Sequence, residues 1–189
     1  MAQRIRSLLL RLSVKLLGRI GCFDQGIRNW LGKMVGLLIY RLASRRRLIV
    51  QRNLDVCFGE DNSSDRTQLV RDCFQEFGIG LIAMCRAWYA PKAEILSELI
   101  SHGEQFLVDA KAAGKGVLIL CPHYTSLELA APFIEAAIGR LVISYRPHES
   151  DSLESMVKLG RSRYADLINV RSIRSLLKTL KNGDVLWFG

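Results

Sequence analysis

Gly116-Val117-Leu118-Ile119-Leu120-Cys121-Pro122-His123-Tyr124-Thr125-Ser126-Leu127-Glu128 is the stretch whose reading decides the fold. Residues 116–120 form a short apolar, β-branched run that reads as a buried strand. Residues 127–138, rich in Leu, Ala, Glu and Ile, read as a helix. His123 is therefore expected on a turn where a strand ends and a helix begins. In open α/β sheets the crevice beyond the carboxyl ends of the strands is where ligands gather. Glu128 falls in the first turn of the helix, and two readings of it stay open. It reaches back to the imidazole, fixing its tautomer and stabilising its protonated form, or it completes a capping box on the Thr125 amide. Cys121 reads as the core-facing end of the strand rather than as a nucleophile.

Downstream the pattern alternates. A strand is expected at 141–145, a helix at 152–164, a helix at 173–180 stopped by Asn182-Gly183, and a strand at 184–188. Pro132 is tolerated in the 127–138 helix or kinks it. Such alternation implies right-handed crossovers and a mostly parallel sheet, an α/β fold. Parallel pairing places Arg146, at the carboxyl end of the 141–145 strand, on the same sheet edge as His123. An arginine there grips a phosphate with two prongs or stabilises an oxyanion. Arg161 and Arg163, on the next helix, either join an anion-binding pocket or are solvated. His148 reads as a loop residue. The chain stops at Trp187-Phe188-Gly189, just after a hydrophobic strand that a further crossover would cover, and so reads as a fragment.

Upstream the charge changes character. Residues 1–50 hold 11 Lys/Arg and one acid, Asp24, for +10; residues 51–189 hold 16 Lys/Arg and 17 acids, for −1, which together give the formal +9. Ile5, Leu8, Leu9, Leu12, Leu16 and Ile20 fall on one helical face, with Arg4, Ser7, Arg11, Lys15 and Gly18 opposite. These charges interrupt the apolar run well short of the ~18–20 residues of a spanning helix, and Arg11 and Lys15 break the apolar centre of a signal peptide. A basic amphipathic helix suits the surface of an anionic membrane; the alternative is a core-facing helix with a solvated basic side. Residues 30–43 are a second apolar stretch, broken by Lys33 and Arg41 and ending in Arg45-Arg46-Arg47, with Trp30 and Tyr40 suited to an interfacial belt. The triple arginine resembles a nucleic-acid patch, but no helix-turn-helix, zinc or aromatic RNA signature accompanies it, so no nucleic-acid partner is expected. Residues 1–48 are accordingly read as a membrane-associating segment and 49–189 as an α/β domain incomplete at its C-terminus.

Between these parts, a helix is expected from Asp61-Asn62-Ser63-Ser64 toward Trp88, weakened midway by Gly78 and Gly80. Shorter helices are expected over 93–100 and 104–113. The 189 residues suffice for one sizeable core. Five cysteines without a C-x-x-C pair argue against a disulfide framework or zinc site and fit a reducing compartment.

His123-Tyr-Thr-Ser-Leu-Glu128 after its strand resembles the H-x-x-x-x-D/E motif of glycerolipid-type acyltransferases. Arg52-Asn53-Leu54-Asp55-Val56-Cys57-Phe58-Gly59-Glu60 is similar to the R-N-L-x-x-C-F-P-E segment of the late acyltransferases of lipid A synthesis. Tyr145-Arg146-Pro147-His148, Gly160-Arg161-Ser162-Arg163 and Leu176-Leu177-Lys178-Thr179-Leu180-Lys181-Asn182-Gly183 resemble that family's following segments. The likeness runs from about residue 30 to 189. It implies a glycerolipid acyltransferase-like fold and transfer of a fatty acyl chain from acyl carrier protein to a hydroxyl of a lipid A precursor. His123 would be the general base, Glu128 its acidic partner, and Arg146, with Arg161 or Arg163, the grip on a phosphate or sugar acid. No metal or cofactor is implied. The expected location is the cytoplasmic face of the inner membrane, peripheral or single-span. Members of the family usually have a more hydrophobic N-terminal anchor, and continue past the last strand into an Asp-containing segment and further helices. Three rivals stand beside this reading: a lysophosphatidate-type acyltransferase, a hydrolase (though no G-x-S-x-G elbow is present) and a non-catalytic membrane-binding fragment.

Overall fold

The computed structural model describes residues 18–59 and 64–188 (Ser64 in its backbone only), together with Ile5, Leu8, Leu9, Leu12 and Leu16. The turn at Asp61-Asn62-Ser63, the charged residues Arg4, Arg11 and Lys15, and Gly189 lie outside them. Four parallel strands form the sheet: β1 (Val117–Leu120), β2 (Leu141–Tyr145), β3 (Ala165–Asn169) and β4 (Val185–Phe188), in the order β1-β4-β2-β3. Val117 pairs with Val185 and Leu120 with Phe188, while Ile143 pairs with Trp187 and Leu141 with Ala165. The α/β fold with a parallel sheet is thus present, with β4 inserted between β1 and β2. β3 is a strand the sequence reading lacked. Asp166 and Asn169 are weak strand formers, and its edge position tolerates them: exposed Asp166 pairs with Arg140 across to β2's start, Oδ1 to Nη2 2.7 Å.

The helices, in chain order, are α1 (Gln25–Leu42), α2 (Ser44–Phe58), α3 (Ser64–Tyr89), α4 (Lys92–Glu98), α5 (Glu104–Ala112), α6 (Ala130–Ile138), α7 (Asp151–Arg161) and α8 (Ile173–Lys181). Sheet and α6 enclose the main core, built from Ala131, Ile134, Ile138, Leu141, Ile143, Tyr164, Ala165, Val185 and Trp187. β1 and β2 are joined through α6, β2 and β3 through α7, and β3 to β4 by a return through α8. Right-handed crossovers therefore set α6 and α7 on one face and α8 on the other. Pro132 sits in the first turn of α6, fully buried, where its missing N–H costs no hydrogen bond.

The longest element, α3, joins the N-terminal helices to the sheet. Gly78 and Gly80 do not break it, because each is a point of close approach. A Cβ on Gly78 would stand 2.1 Å from the Gly32 carbonyl oxygen, and one on Gly36 2.1 Å from that of Phe74. A Cβ on Gly80 would stand 2.6 Å from Thr125. α1 therefore runs antiparallel along α3 at backbone distance, through Gly32 and Gly36. Two buried arginines secure this junction. Arg28 donates to both oxygens of Glu98 (3.2 and 2.6 Å), and Arg86 donates to Glu98 (2.8 Å), to the Glu94 carbonyl and to that of Gly21. The Arg28 hydrogen bond is the main cause holding the Glu98 carboxyl below the usual carboxylate range.

The other side of α1 is apolar and uncovered. Phe23, just before it, and Ile27, Trp30, Met34, Leu38 and Leu42 within it are all exposed, at i, i+4, i+7, i+11, i+15 and i+19. α2 buries no residue at all and exposes Leu48, Ile49, Val56 and Phe58. No helix among the described residues is long and apolar enough to cross a membrane.

Candidate active site

His123 stands three residues past β1, on the turn expected of it, and is exposed. The chain then forms one 3₁₀ turn, Leu127–Leu129, before entering α6. That turn is seated on α3 through Thr125, which only a glycine at position 80 admits. Glu128 lies in the 3₁₀ turn, and no hydrogen bond joins it to the Thr125 amide. Its carboxylate is held by two side chains from distant elements. Arg161, at the end of α7, donates Nε to Oε1 (3.0 Å) and Oε2 (3.3 Å) and Nη2 to Oε1 (2.5 Å). Trp88, in the last turn of α3, donates Nε1 to Oε2 at 3.0 Å. The Arg161 and Glu128 side chains are 21% and 14% exposed, so this ion pair is largely shielded from water. Gly160 completes the arrangement: a Cβ there would meet the Trp88 ring at 2.3 Å, so the indole packs this closely on α7 only because position 160 has no side chain.

His123 makes no hydrogen bond or ion pair among the described residues, and the expected bond to Glu128 is not formed. The two side chains do line one small cavity of about 30 Å³, with Leu127, Ala131, Ile143, Ser144, Arg161 and Trp187. That volume admits a solvent molecule or two and no acyl chain. Cys121, half-buried beside it, packs on the core, and burial pushes its thiol up, away from the range of an activated nucleophile. No three His, Cys, Asp or Glu side chains among the described residues gather as metal ligands.

Arg146 follows β2 on the same sheet edge as His123, as parallel pairing requires, but β4 lies between their strands, a separation of about 10 Å. It is exposed and lines a cleft of about 720 Å³ with Pro147, His148, Glu149, Ser150, Leu153, Asn169 and Arg171. Arg171 was not singled out by the sequence, because it follows the strand that the sequence reading lacked. The loop carrying Arg146 is pinned by Glu154 of α7, which accepts from the His148 amide (2.9 Å) and the Tyr145 hydroxyl (2.9 Å) and pairs with Lys158 (3.0 Å). The His148 amide, first among these donors, helps bring the Glu154 carboxyl down to about 2.

Arg163 is engaged elsewhere. It donates to the Ala87 and Ala90 carbonyls at the end of α3 (3.3 and 3.0 Å) and lies over the Tyr164 ring at 5.1 Å. Of the three arginines expected around an anion, Arg146 is thus the one facing an open cleft, Arg161 faces Glu128, and Arg163 ties β3's approach to α3.

Residues 4–188 match the family model described as bacterial lipid A biosynthesis acyltransferase. A lipid A biosynthesis lauroyltransferase of Escherichia coli (strain K12) is 31% identical over 162 residues, 84% of this chain and 52% of that protein. A lipid A biosynthesis palmitoleoyltransferase of the same organism is 26% identical over 160 residues, again 84% and 52%. A lipid A biosynthesis acyltransferase of Haemophilus influenzae is 25% identical over 180 residues, 94% of this chain and 57% of that protein. The chain spans about half the length of the curated relatives it matches. It belongs to the bacterial lipid A biosynthesis acyltransferase family.

Proposed function

We propose that the chain carries the catalytic half-site of an O-acyltransferase that moves a fatty acyl group from the thioester of acyl carrier protein to a hydroxyl of a lipid A precursor. The observation that carries this reading, beside family membership, is that His123 and Glu128 line one cavity at the carboxyl edge of a parallel sheet. His123 removes the hydroxyl proton as the oxygen attacks the thioester carbonyl. The tetrahedral intermediate collapses, the C–S bond breaks, and the imidazolium returns its proton to the departing thiolate. An ester and a free thiol result, with no acyl-enzyme. Glu128, held in place by Arg161 and Trp88, stabilises the imidazolium across the cavity. Arg146 grips a phosphate of the acceptor in the larger cleft, two strands away on the same edge.

The acceptor is a membrane lipid, and the uncovered apolar side of α1 suits the cytoplasmic surface of the inner membrane, with Arg41, Arg45 and Arg46 among anionic head groups. The basic N-terminal part also attracts an acidic carrier protein. The test supplies membranes bearing this chain with labelled tetra-acylated lipid A precursor and lauroyl-loaded carrier protein or lauroyl coenzyme A. Label in a penta-acylated product, faster from the carrier protein, supports the reading. Release of free fatty acid with the precursor unchanged would make the chain a hydrolase, and no turnover of either would contradict catalysis by it.

A further inference from the structure

We propose that Arg171 is the second arm of the grip on the acceptor: with Arg146 it makes the cleft beyond β2 and β3 select a phosphomonoester over a singly charged sugar acid. The proposal rests on the reading of Arg146 as that grip and deepens it, naming a specificity-determining residue and the charge of the group it takes. β2 and β3 are neighbours, and Tyr145 pairs with Asn169 at the carboxyl end of both. The ladder runs one bond further, from the Val170 amide to the Tyr145 carbonyl (2.9 Å). Arg146 and Arg171 therefore leave adjacent strands, about 4.8 Å apart, within two residues of the last pair. Both line the cleft of about 720 Å³, while Val170, between Asn169 and Arg171, does not. Each approach is fixed. The Asn169 side chain accepts from the Arg171 amide (2.9 Å) and its carbonyl from the Ser172 amide (2.8 Å). Glu154 holds the opposite loop through the His148 amide (2.9 Å). A site whose walls are already ordered loses less on binding.

Charge then decides the ligand. Neither guanidinium makes a hydrogen bond or an ion pair among the described residues. Other arginines of the sheet domain are answered from within the chain: Arg140 by Asp166, Arg161 by Glu128, and Arg163 by the Ala87 and Ala90 carbonyls. Glu154, beside the cleft, is taken by Lys158, the Tyr145 hydroxyl and the His148 amide. Among the lining residues, Arg146 and Arg171 face one carboxylate, Glu149, which leaves the cleft at +1 with His148 neutral. A sugar acid brings one charge on two oxygens, and a single forked arginine serves such a group, as Arg161 serves Glu128. A phosphomonoester brings about −1.5 to −2 at pH 7 on three terminal oxygens, enough for two forks at once. The second arginine is therefore the feature that turns a site for an anion into a site for a phosphate.

The experiment is NMR of the arginine Nε–Hε groups in the whole chain, titrated with glucose 1-phosphate and, separately, with glucuronate. The two signals are assigned by their absence in Arg146→Gln and Arg171→Gln. The expected result is that the phosphate moves both signals along one binding curve, and that glucuronate binds more weakly. Arg171→Gln should weaken glucose 1-phosphate by about tenfold or more, the loss of one charge-assisted contact, and bring the two probes close together. Arg174→Gln, in the first turn of α8 and outside the cleft, should change neither. A phosphate that moves the Arg146 signal alone, moves neither, or binds Arg171→Gln as it binds the parent would overturn the proposal. In the transfer assay Arg171→Gln should raise acceptor KM by about tenfold at little changed kcat, and leave KM for the enzymatically dephosphorylated precursor as it was. An equal rise on both acceptors would make Arg171 a structural residue and overturn its role in selection. The two readings fail separately. Phosphate binding at both arginines in a chain that transfers no acyl group removes the acyltransferase reading and keeps the site. Transfer that needs His123 but is indifferent to Arg171→Gln does the reverse.

Discussion

Glu128 is fixed by residues 40 and 33 positions away in the sequence, Trp88 and Arg161. Removing either should be felt first as stability. Arg161→Gln leaves a mostly buried carboxylate without its cation and should cost about 1–3 kcal/mol in urea unfolding, less than a fully buried pair because both side chains keep some water. Arg161→Lys should recover little of it, since an ammonium cannot reproduce the forked contact. Trp88→Phe removes one hydrogen bond while keeping most of the ring in place, for about 1 kcal/mol. An Arg161→Gln variant as stable as the parent would contradict this account of Glu128. The loop carrying Arg146 depends on a second carboxylate. Glu154 has its carboxyl lowered to about 2 in the folded chain, so its contribution is complete above the ordinary carboxylate range and is lost as pH falls from about 4.5 toward 2. The stability gap between the parent and Glu154→Gln should therefore narrow across that window; a gap independent of pH would show that Glu154 does not pin the loop as an anion.

At the scale of elements, what could be read from sequence was what repeats locally. Residues 116–128 showed strand, turn and helix because apolar runs and capping residues are short-range signals, and the parallel sheet followed from their alternation. β3 escaped because Asp166 and Asn169 look like turn residues until an edge position and Arg140 accommodate them. α2 escaped because it buries nothing and so has no apolar face to recognise. Trp88 escaped as a partner of Glu128 because no local spacing links α3 to the turn after β1. Gly78 and Gly80 look like weak points in the sequence, whereas the crossing of α1 and α3 needs Gly78 and the seating of Thr125 on α3 needs Gly80. Gly78→Ala should accordingly cost about 1–3 kcal/mol by overpacking, despite alanine's better helix propensity. Measured by denaturation, a stabilised Gly78→Ala chain would mean that the two helices do not meet at backbone distance.

Across the whole molecule, charge and exposed apolar surface fall in the same place. The +10 of residues 1–50 accompanies the uncovered stripe from Phe23 to Leu42, while the sheet domain is close to neutral. Trp30 is 60% exposed on that stripe, and the other two tryptophans, Trp88 and Trp187, are each 4% exposed, so a change in emission on lipid reports Trp30. Emission should shift to the blue on vesicles containing anionic lipid, less so at high salt, and not in Leu38→Glu. Emission indifferent to vesicles would remove the membrane from this face of α1. The chemistry itself rests on one side chain. The most direct measurement is the single-turnover rate of acyl transfer from loaded carrier protein to the lipid A precursor by the parent chain and by His123→Ala. A loss of about 10²–10⁴-fold with acceptor binding intact is the result expected of a missing general base. Equal rates from the two proteins would contradict the assignment of His123.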